Sequence, residues 1–573
     1  MTHTRRKRAP AKAVPTIRHR PLLLLLLPLL VAGFTLKGST PEGEPLPDYD
    51  SCTDIVVGKM ASADGSVITS HTGCCAECRV HIVPAADWPA GELAPVHYGM
   101  QDVRTSLDHY GDVLGYIPQV EHTYAYFHTG YPQMNEHQLA IGESTLSQRE
   151  ELRVDRGFGE QIMTIEQAQL FALQRCTRAR EAVELIGSLL DEYGFLPSCG
   201  PESEALCIAD TKEVWIFETF SVGPGWERDS GEPGAIWAAQ RVPDDHIAIV
   251  PNWSVIKQID PDDHENFMVS GNWMQAAVDR GWYDPDSGDP FIWQEVYSPL
   301  PREWAVGRFW LFFSTFAPNS GPWPDKRLHG AHTGYDAYHQ YIEPLSLYPF
   351  SIKPERPVSV QDVIAFQRSV FPGTIYDMTA DLDWQVPDGR GGMQLSPLAT
   401  PFPTRAMREL LDITYRRMVS RGGYGMVAQL RDWLPDPIGG VYWFYLDNQH
   451  VSTYVPIYAG VRDTHPLYQV WDPDEFSEDS ARWAIDFVDN LLYLRWQDAI
   501  EDLRAARDPL EARFFDEQER IDAEALELYE QDPGIARDFL TRYTRGTMEE
   551  TVEMYRALRN LLITKYTNNK QGM

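Results

Sequence analysis

The chain lacks a long apolar run. The stretch from Leu22 to Phe34 holds thirteen residues, whereas a bilayer-spanning helix needs about 20. Positive charge is also short: lysine is scarce, arginine carries most of it, and the formal net charge is −33. Residues 1–51 contribute eight Lys/Arg against four Asp/Glu, so the remainder stands at −37. Such a surface repels nucleic acid and anionic membrane, which excludes both as partners. There is no His-Glu-x-x-His, no phosphate-cradling glycine loop and no internal repeat. A zincin-type metallopeptidase, a P-loop enzyme and a solenoid are thereby set aside, and no cofactor or metal is expected.

What is present begins with a basic segment (Arg5, Arg6, Lys7, Arg8, Arg18, Arg20) ahead of the Leu22–Phe34 run. This is the order of a signal peptide, and residues 1–36 are read as one. An anchor that stays attached is the alternative. Residues 37–51, rich in Pro, Gly and acid without periodicity, read as a linker or propeptide. Export to a periplasmic or extracellular compartment follows, with no membrane association once the signal is removed. A hydrophobic content of 43% supports one large globular core thereafter.

The chain is organised around Asp50 to Thr72. Asp54–Lys59 and Val67–Ser70 read as strands around an Ala63-Asp64-Gly65-Ser66 turn, a strong hairpin signal. Cys52 heads the first strand. A cut before it would give one residue both a thiol and a free α-amine. Thiols titrate near ~8.5 and α-amines near ~7.7–8.0, so the amine can serve as the base its own thiol needs. That is the logic of an N-terminal nucleophile; the bland alternative is a buried core cysteine at a strand end.

Cys52-Thr-Asp-Ile-Val-Val-Gly-Lys-x-Ala-Ser-x-Asp-Gly-Ser66 resembles the opening of the cysteine dipeptidases of the N-terminal-nucleophile hydrolase superfamily, relatives of dipeptidase A and the secernins. Similar segments follow in order: Val83–Gly91, Met134–Thr145, Gln240–Asp244, Asn252, Gln429–Gly440 and Val441–Phe444. The likeness spans roughly residues 52–495. It implies a four-layer αββα sandwich of two mainly antiparallel sheets over residues 52–500, with residues 501–573 as a helical extension. That extension packs on the domain or on a second subunit of a homo-oligomer. It also implies hydrolysis of dipeptides or short peptides, with Cys52 as nucleophile and Asn252 at the oxyanion. Arg79, Asn135, Glu143 and Thr145 are implied in substrate binding. Without the resemblance, Asn252 would read as a turn former and Glu143 as an ion-pair partner for an arginine such as Arg149.

The loop Gly73-Cys-Cys-Ala-Glu-Cys-Arg79 departs from the family's pattern, with Cys74 or Cys75 where relatives carry an acid. Two rival functions therefore stand beside the peptidase: an amidase or acylase of N-acyl substrates, and a non-catalytic secreted protein on a retired scaffold. The six cysteines other than Cys52 suggest up to three disulfides in an oxidising compartment, Cys199 with Cys207 among the options. Zinc held by Cys74, Cys75 and Cys78 with His71 or His81, and free thiols, are the alternatives.

Further along, Thr164-Ile-Glu-Gln167 predicts a capping box opening one helix that runs to Gly194 and contains Cys176. Ser359-Val-Gln-Asp362 predicts another helix start. Gly439-Gly440 predicts tight backbone approach, and residues 510–567 predict amphipathic helices.

Overall fold

The computed structural model describes residues 52–567 except 103, 105, 300–302, 322, 324–347, 375, 412–418 and 420–421. The expected leader and propeptide lie outside the described residues.

Two antiparallel sheets form the centre. Sheet one contains β1 (Asp54–Val57), β2 (Val67–Gly73), β10 (Ile247–Val250), β12 (Tyr424–Leu430), β13 (Val441–Leu446) and β14 (Val455–Tyr458), in the order β10-β1-β2-β12-β13-β14. Sheet two contains β3 (His81–Val83), β4 (Tyr126–His128), β5 (Met134–Asn135), β6 (Ala140–Leu146), β7 (Ser203–Ala209), β8 (Val214–Ser221), β9 (Ala235–Val242) and β11 (Phe267–Val269). Its order is β11-β9-β8-β7-β6-β5-β4-β3. Nearly every residue of these central strands is buried, because each sheet is covered on both faces.

The sheets meet face to face where β2 lies over β6 and β7. The approach is close: a Cβ on Gly142 would fall 2.4 Å from the Ser70 carbonyl oxygen and 3.1 Å from the Asp54 carboxyl. Outside sheet two lie α1 (Ile165–Arg175) and α2 (Ala179–Tyr193). Outside sheet one lie α4 (Val360–Gln367), α5 (Ala481–Leu492), α6 (Trp496–Gln531) and α7 (Pro533–Tyr566), with α3 (Glu303–Phe316) earlier in the chain. The four-layer αββα arrangement expected from the sequence is the observed fold.

Local expectations fared unevenly. Gly65 adopts φ +84° in the β1–β2 turn, and Asp64 Oδ1 accepts from the Ser66 N–H and hydroxyl. The capping box at Ser359 and Asp362 forms in both directions. Gly439 and Gly440 are needed: a Cβ would fall 2.5 Å from the Arg431 carbonyl in the first and 3.0 Å from Ala459 Cβ in the second. By contrast, the expected helix from Thr164 to Gly194 is two helices, broken where Cys176 turns extended (φ −117°, ψ 152°). Thr164 makes no side-chain cap there.

The C-terminal helices are an integral outer layer of sheet one. The expected boundary at residue 500 falls inside α6. Trp443 of β13 stacks on Phe515 at a centroid distance of 3.9 Å. Glu511 accepts from both terminal nitrogens of Arg368 at 2.7 Å, and its Oε2 also accepts the Tyr454 N–H. Asp522 pairs with Arg431 and accepts from the Tyr458 hydroxyl. No helix among the described residues is long and apolar enough to cross a membrane.

Candidate active site

Cys52 is set by register. Asp54 pairs with Val250 across to β10, and Val56 with Thr69 across to β2. Extending both ladders brings Asn252 to one side of Cys52 and Gly73 to the other. Thr53 continues the hairpin, its N–H donating to Thr72 Oγ1 at 2.7 Å. β6 of the second sheet lies beneath and presents Glu143, whose Oε2 is 3.9 Å from Cys52 Sγ. The cysteine is 2% exposed.

The surroundings keep that thiol protonated. A hydrogen bond with the Cys74 side chain, burial, and the nearby Glu143 and Asp54 carboxyls push its pKa well up. Those carboxyls are perturbed in turn. Glu143 and Glu204 lie on the same face of β6 and β7, where Thr145 pairs with Glu204. Burial raises Glu143 to about 7, and both burial and the Glu143 charge raise Glu204 well above the carboxylate range. The two hydrogen-bond, so Glu204 retains the proton and Glu143 accepts it. Thr145 Oγ1 also donates to Glu143, at 3.4 Å. His71 Nδ1 lies 3.5 Å from Asp54, yet this is not a pair of charges. Burial lowers His71 to about 4 and pushes the Asp54 carboxyl well above the usual carboxylate range.

Asn252 takes φ +64°, a left-handed conformation that asparagine tolerates and that costs most other residues. Its N–H donates to Ser144 Oγ at 3.1 Å and its Nδ2 to the Thr145 carbonyl at 3.1 Å. The buried Arg308 of α3 then donates through Nη1 to Asn252 Oδ1 at 2.9 Å and to the Cys52 carbonyl at 3.0 Å. One guanidinium thus ties the Cys52 backbone to the asparagine amide. Sequence reasoning missed it, although a lone arginine in the apolar run Trp304-Ala-Val-Gly-Arg-Phe-Trp-Leu311 is a readable signal.

Two expected site residues have other duties. Asn135 donates both amide protons to the carbonyls of Leu173 and Cys176, while its oxygen accepts from the N–H groups of His137 and Leu139. Its hydrogen-bonding capacity is filled by the β5 turn and the end of α1. Arg79 is engaged within its own loop, with Nε and Nη2 on Glu77 and Nη2 also on the Arg104 carbonyl. Glu77, paired with Arg79 and Arg104, is held at about 2 despite its burial. The loop thus keeps a buried carboxylate, at Glu77.

None of the seven cysteines is in a disulfide, contrary to expectation. Cys78 is buried with its thiol pushed up to about 12, and Cys75 and Cys199 both donate to Gln101 Oε1 at 3.6 and 3.1 Å. Among the described residues, no three His, Cys, Asp or Glu side chains converge as metal ligands.

At the end of β2 opens a cleft of about 520 Å³, lined by Cys74, Gly423, Asp447, Trp471, Arg482 and Trp483 among others. It lies at the end of sheet one where β2 and β13 finish and β12 begins, the same end at which β1 starts. Arg482 is fixed by Asp447 and faces Trp471 at 5.1 Å.

An αββα sandwich with a cysteine heading a central strand, flanked by an asparagine and underlain by carboxyls, defines a cysteine hydrolase of the N-terminal-nucleophile type. A sequence profile of Peptidase family C69 matches residues 51–508, and the chain belongs to that family of cysteine peptidases. It is 22% identical over 553 residues to a protein of Streptococcus pyogenes serotype M1 named probable dipeptidase B, covering 91% of this chain and 95% of that one. A probable dipeptidase of Salmonella dublin is 23% identical over 436 residues, covering 73% and 82%. A dipeptidase of Bifidobacterium longum is 24% identical over 480 residues, covering 76% and 75%.

Proposed function

We propose that this protein is an exported dipeptidase that cleaves dipeptides or short peptides with Cys52, after the chain preceding that residue has been removed. The observation that carries the reading is the seating of Cys52 between Asn252 and Gly73, over Glu143, with Cys74 next to Gly73 lining a cleft of about 520 Å³. Clefts of a few hundred Å³ suit small ligands, and the similar proteins named dipeptidase support the substrate class.

In the mature enzyme, the α-amine of Cys52 takes the thiol proton and the sulfur attacks the scissile carbonyl. A tetrahedral oxyanion forms; the second Nδ2–H of Asn252 and a backbone N–H are the donors suited to it, worth around ~3 kcal/mol each. Collapse expels the amine of the C-terminal residue, which receives the proton back. Water then attacks the thioester through the same base and frees the acid. Arg308 holds Asn252 and the Cys52 carbonyl in place throughout. Before maturation, with residue 52 in peptide linkage, the base is missing and burial keeps the thiol protonated.

The test is Cys52→Ala in the mature form. Hydrolysis of a dipeptide panel should vanish while the circular dichroism stays unchanged; retained hydrolysis would sink the proposal. The same panel set against N-acyl amino acids distinguishes a peptidase from an acylase. N-terminal sequencing of protein from the native host should begin at Cys52.

A further inference from the structure

We infer that Cys74 is a second, oxidisable thiol of the active site, and that a hydroperoxide converts Cys52 and Cys74 into a reversible disulfide that blocks the nucleophile. The site rests on the seating of Cys52 described above; its effect on activity rests also on the proposed function.

Three observations place the two sulfurs for it. Their side chains are hydrogen-bonded to each other. Extending the β1–β2 register sets Cys52 opposite Gly73, the residue before Cys74. Cys74 is therefore the residue next to the cross-strand neighbour of Cys52. Finally, the two thiols differ in access. Cys52 is buried, whereas Cys74 is half-buried and lines the cleft, where a small solute reaches it first.

The chemistry balances with the peroxide as sole oxidant. Cys74 gives up its proton and its sulfur attacks one peroxide oxygen. The S–O bond forms, the O–O bond breaks, and an alcohol or water leaves. The Cys52 sulfur then attacks the sulfenic sulfur of Cys74, and the displaced hydroxide leaves as water with the Cys52 proton. Two electrons pass from the sulfur pair to the peroxide, and a dithiol restores both thiols by exchange. Cys75 and Cys199 instead donate to Gln101 Oε1.

The experiment treats the mature enzyme with hydrogen peroxide and maps peptides by mass spectrometry without reduction. The expected result is a Cys52–Cys74 cross-linked peptide two hydrogens lighter than its parts, with activity lost and then recovered in dithiothreitol. Cys74→Ser should form no cross-link, and its inactivation should resist dithiothreitol because Cys52 proceeds to the sulfinic acid. Cys75→Ser should cross-link as wild type does. Oxidised wild type carrying only sulfinic Cys52, or Cys74 linked to Cys75, would overturn the inference. A Cys52–Cys74 cross-link in an enzyme that stays active would leave the disulfide standing and refute Cys52 as the nucleophile.

Discussion

Glu143 and Glu204 lie diagonally across β6 and β7 as a hydrogen-bonded carboxyl pair, and Cys52 Sγ donates to Glu143 Oε2 at 3.9 Å. The native fold binds a proton there more tightly than the unfolded chain does. Burial raises Glu143 from 4.5 to about 7, so its favourable protonated form is fully present below the unfolded value and is lost as pH rises through that window.

Glu143→Gln removes that titration. Relative to wild type, the variant should therefore gain stability between pH 5 and 8, by on the order of 1–3 kcal/mol. Urea denaturation at several pH values checks it, and parallel stability–pH curves would refute the assignment. Activity should fall even where stability rises, because Glu143 lies against the nucleophile.

Arg308→Lys tests the bridge between Cys52 and Asn252. Lysine keeps the charge but loses the rigid planar group whose Nη1 reaches both acceptors. The expected outcome is a kcat lowered by roughly 10- to 100-fold at little change in KM, as for a loss felt in the transition state. Arg308→Met should also unfold more readily, by ~3 kcal/mol or more, because it strands buried acceptors. A variant with wild-type kcat would remove Arg308 from the site.

Gly142→Ala tests the close approach of the sheets. The new methyl has no room against the Ser70 carbonyl. Overpacking of this kind costs ~1–3 kcal/mol, and the strand beneath Cys52 must shift to relieve it. Lower thermal stability together with lower activity is expected; an unchanged melting curve would contradict the packing.

Glu511→Ala should loosen the C-terminal helices. The carboxylate is the partner of the buried Arg368 guanidinium, and breaking a buried pair on one side costs ~3–5 kcal/mol. Hydrogen exchange should quicken along α6 and across the Ser452–Tyr454 segment that Arg368 and Glu511 hold.

How far the sequence foretold all this depended on range. The β1–β2 hairpin was readable because Asp64 and Gly65 satisfy their turn within a few residues. The Ser359 cap is equally local. The four-layer fold came from separated motifs in order. The motif around Asn135 says nothing of the carbonyls of Leu173 and Cys176 that claim its amide. The break at Cys176 went unread because the apolar face continues across it. Arg308 and Glu204 went unread because their meaning lies in partners far along the chain: Arg308 and Cys52 are 256 residues apart.

Distance along the chain also sets a timetable. The strand that completes the sheet around Cys52 on the β2 side is β12, where Met426 pairs with His71, and ahead of it the Thr53 hydroxyl reaches the Val419 carbonyl 366 residues away. Ribosomes add about 5–20 residues per second, so a nascent chain carries Cys52 for roughly 20–70 s before that partner exists. Contacts of such range form late in folding. A fragment ending before β12 holds Cys52, Asn252 and Glu143 yet lacks the strand that closes sheet one beside β2. The sheet around Cys52 is thus completed only by a late part of the chain, and synthesis itself delays its closing.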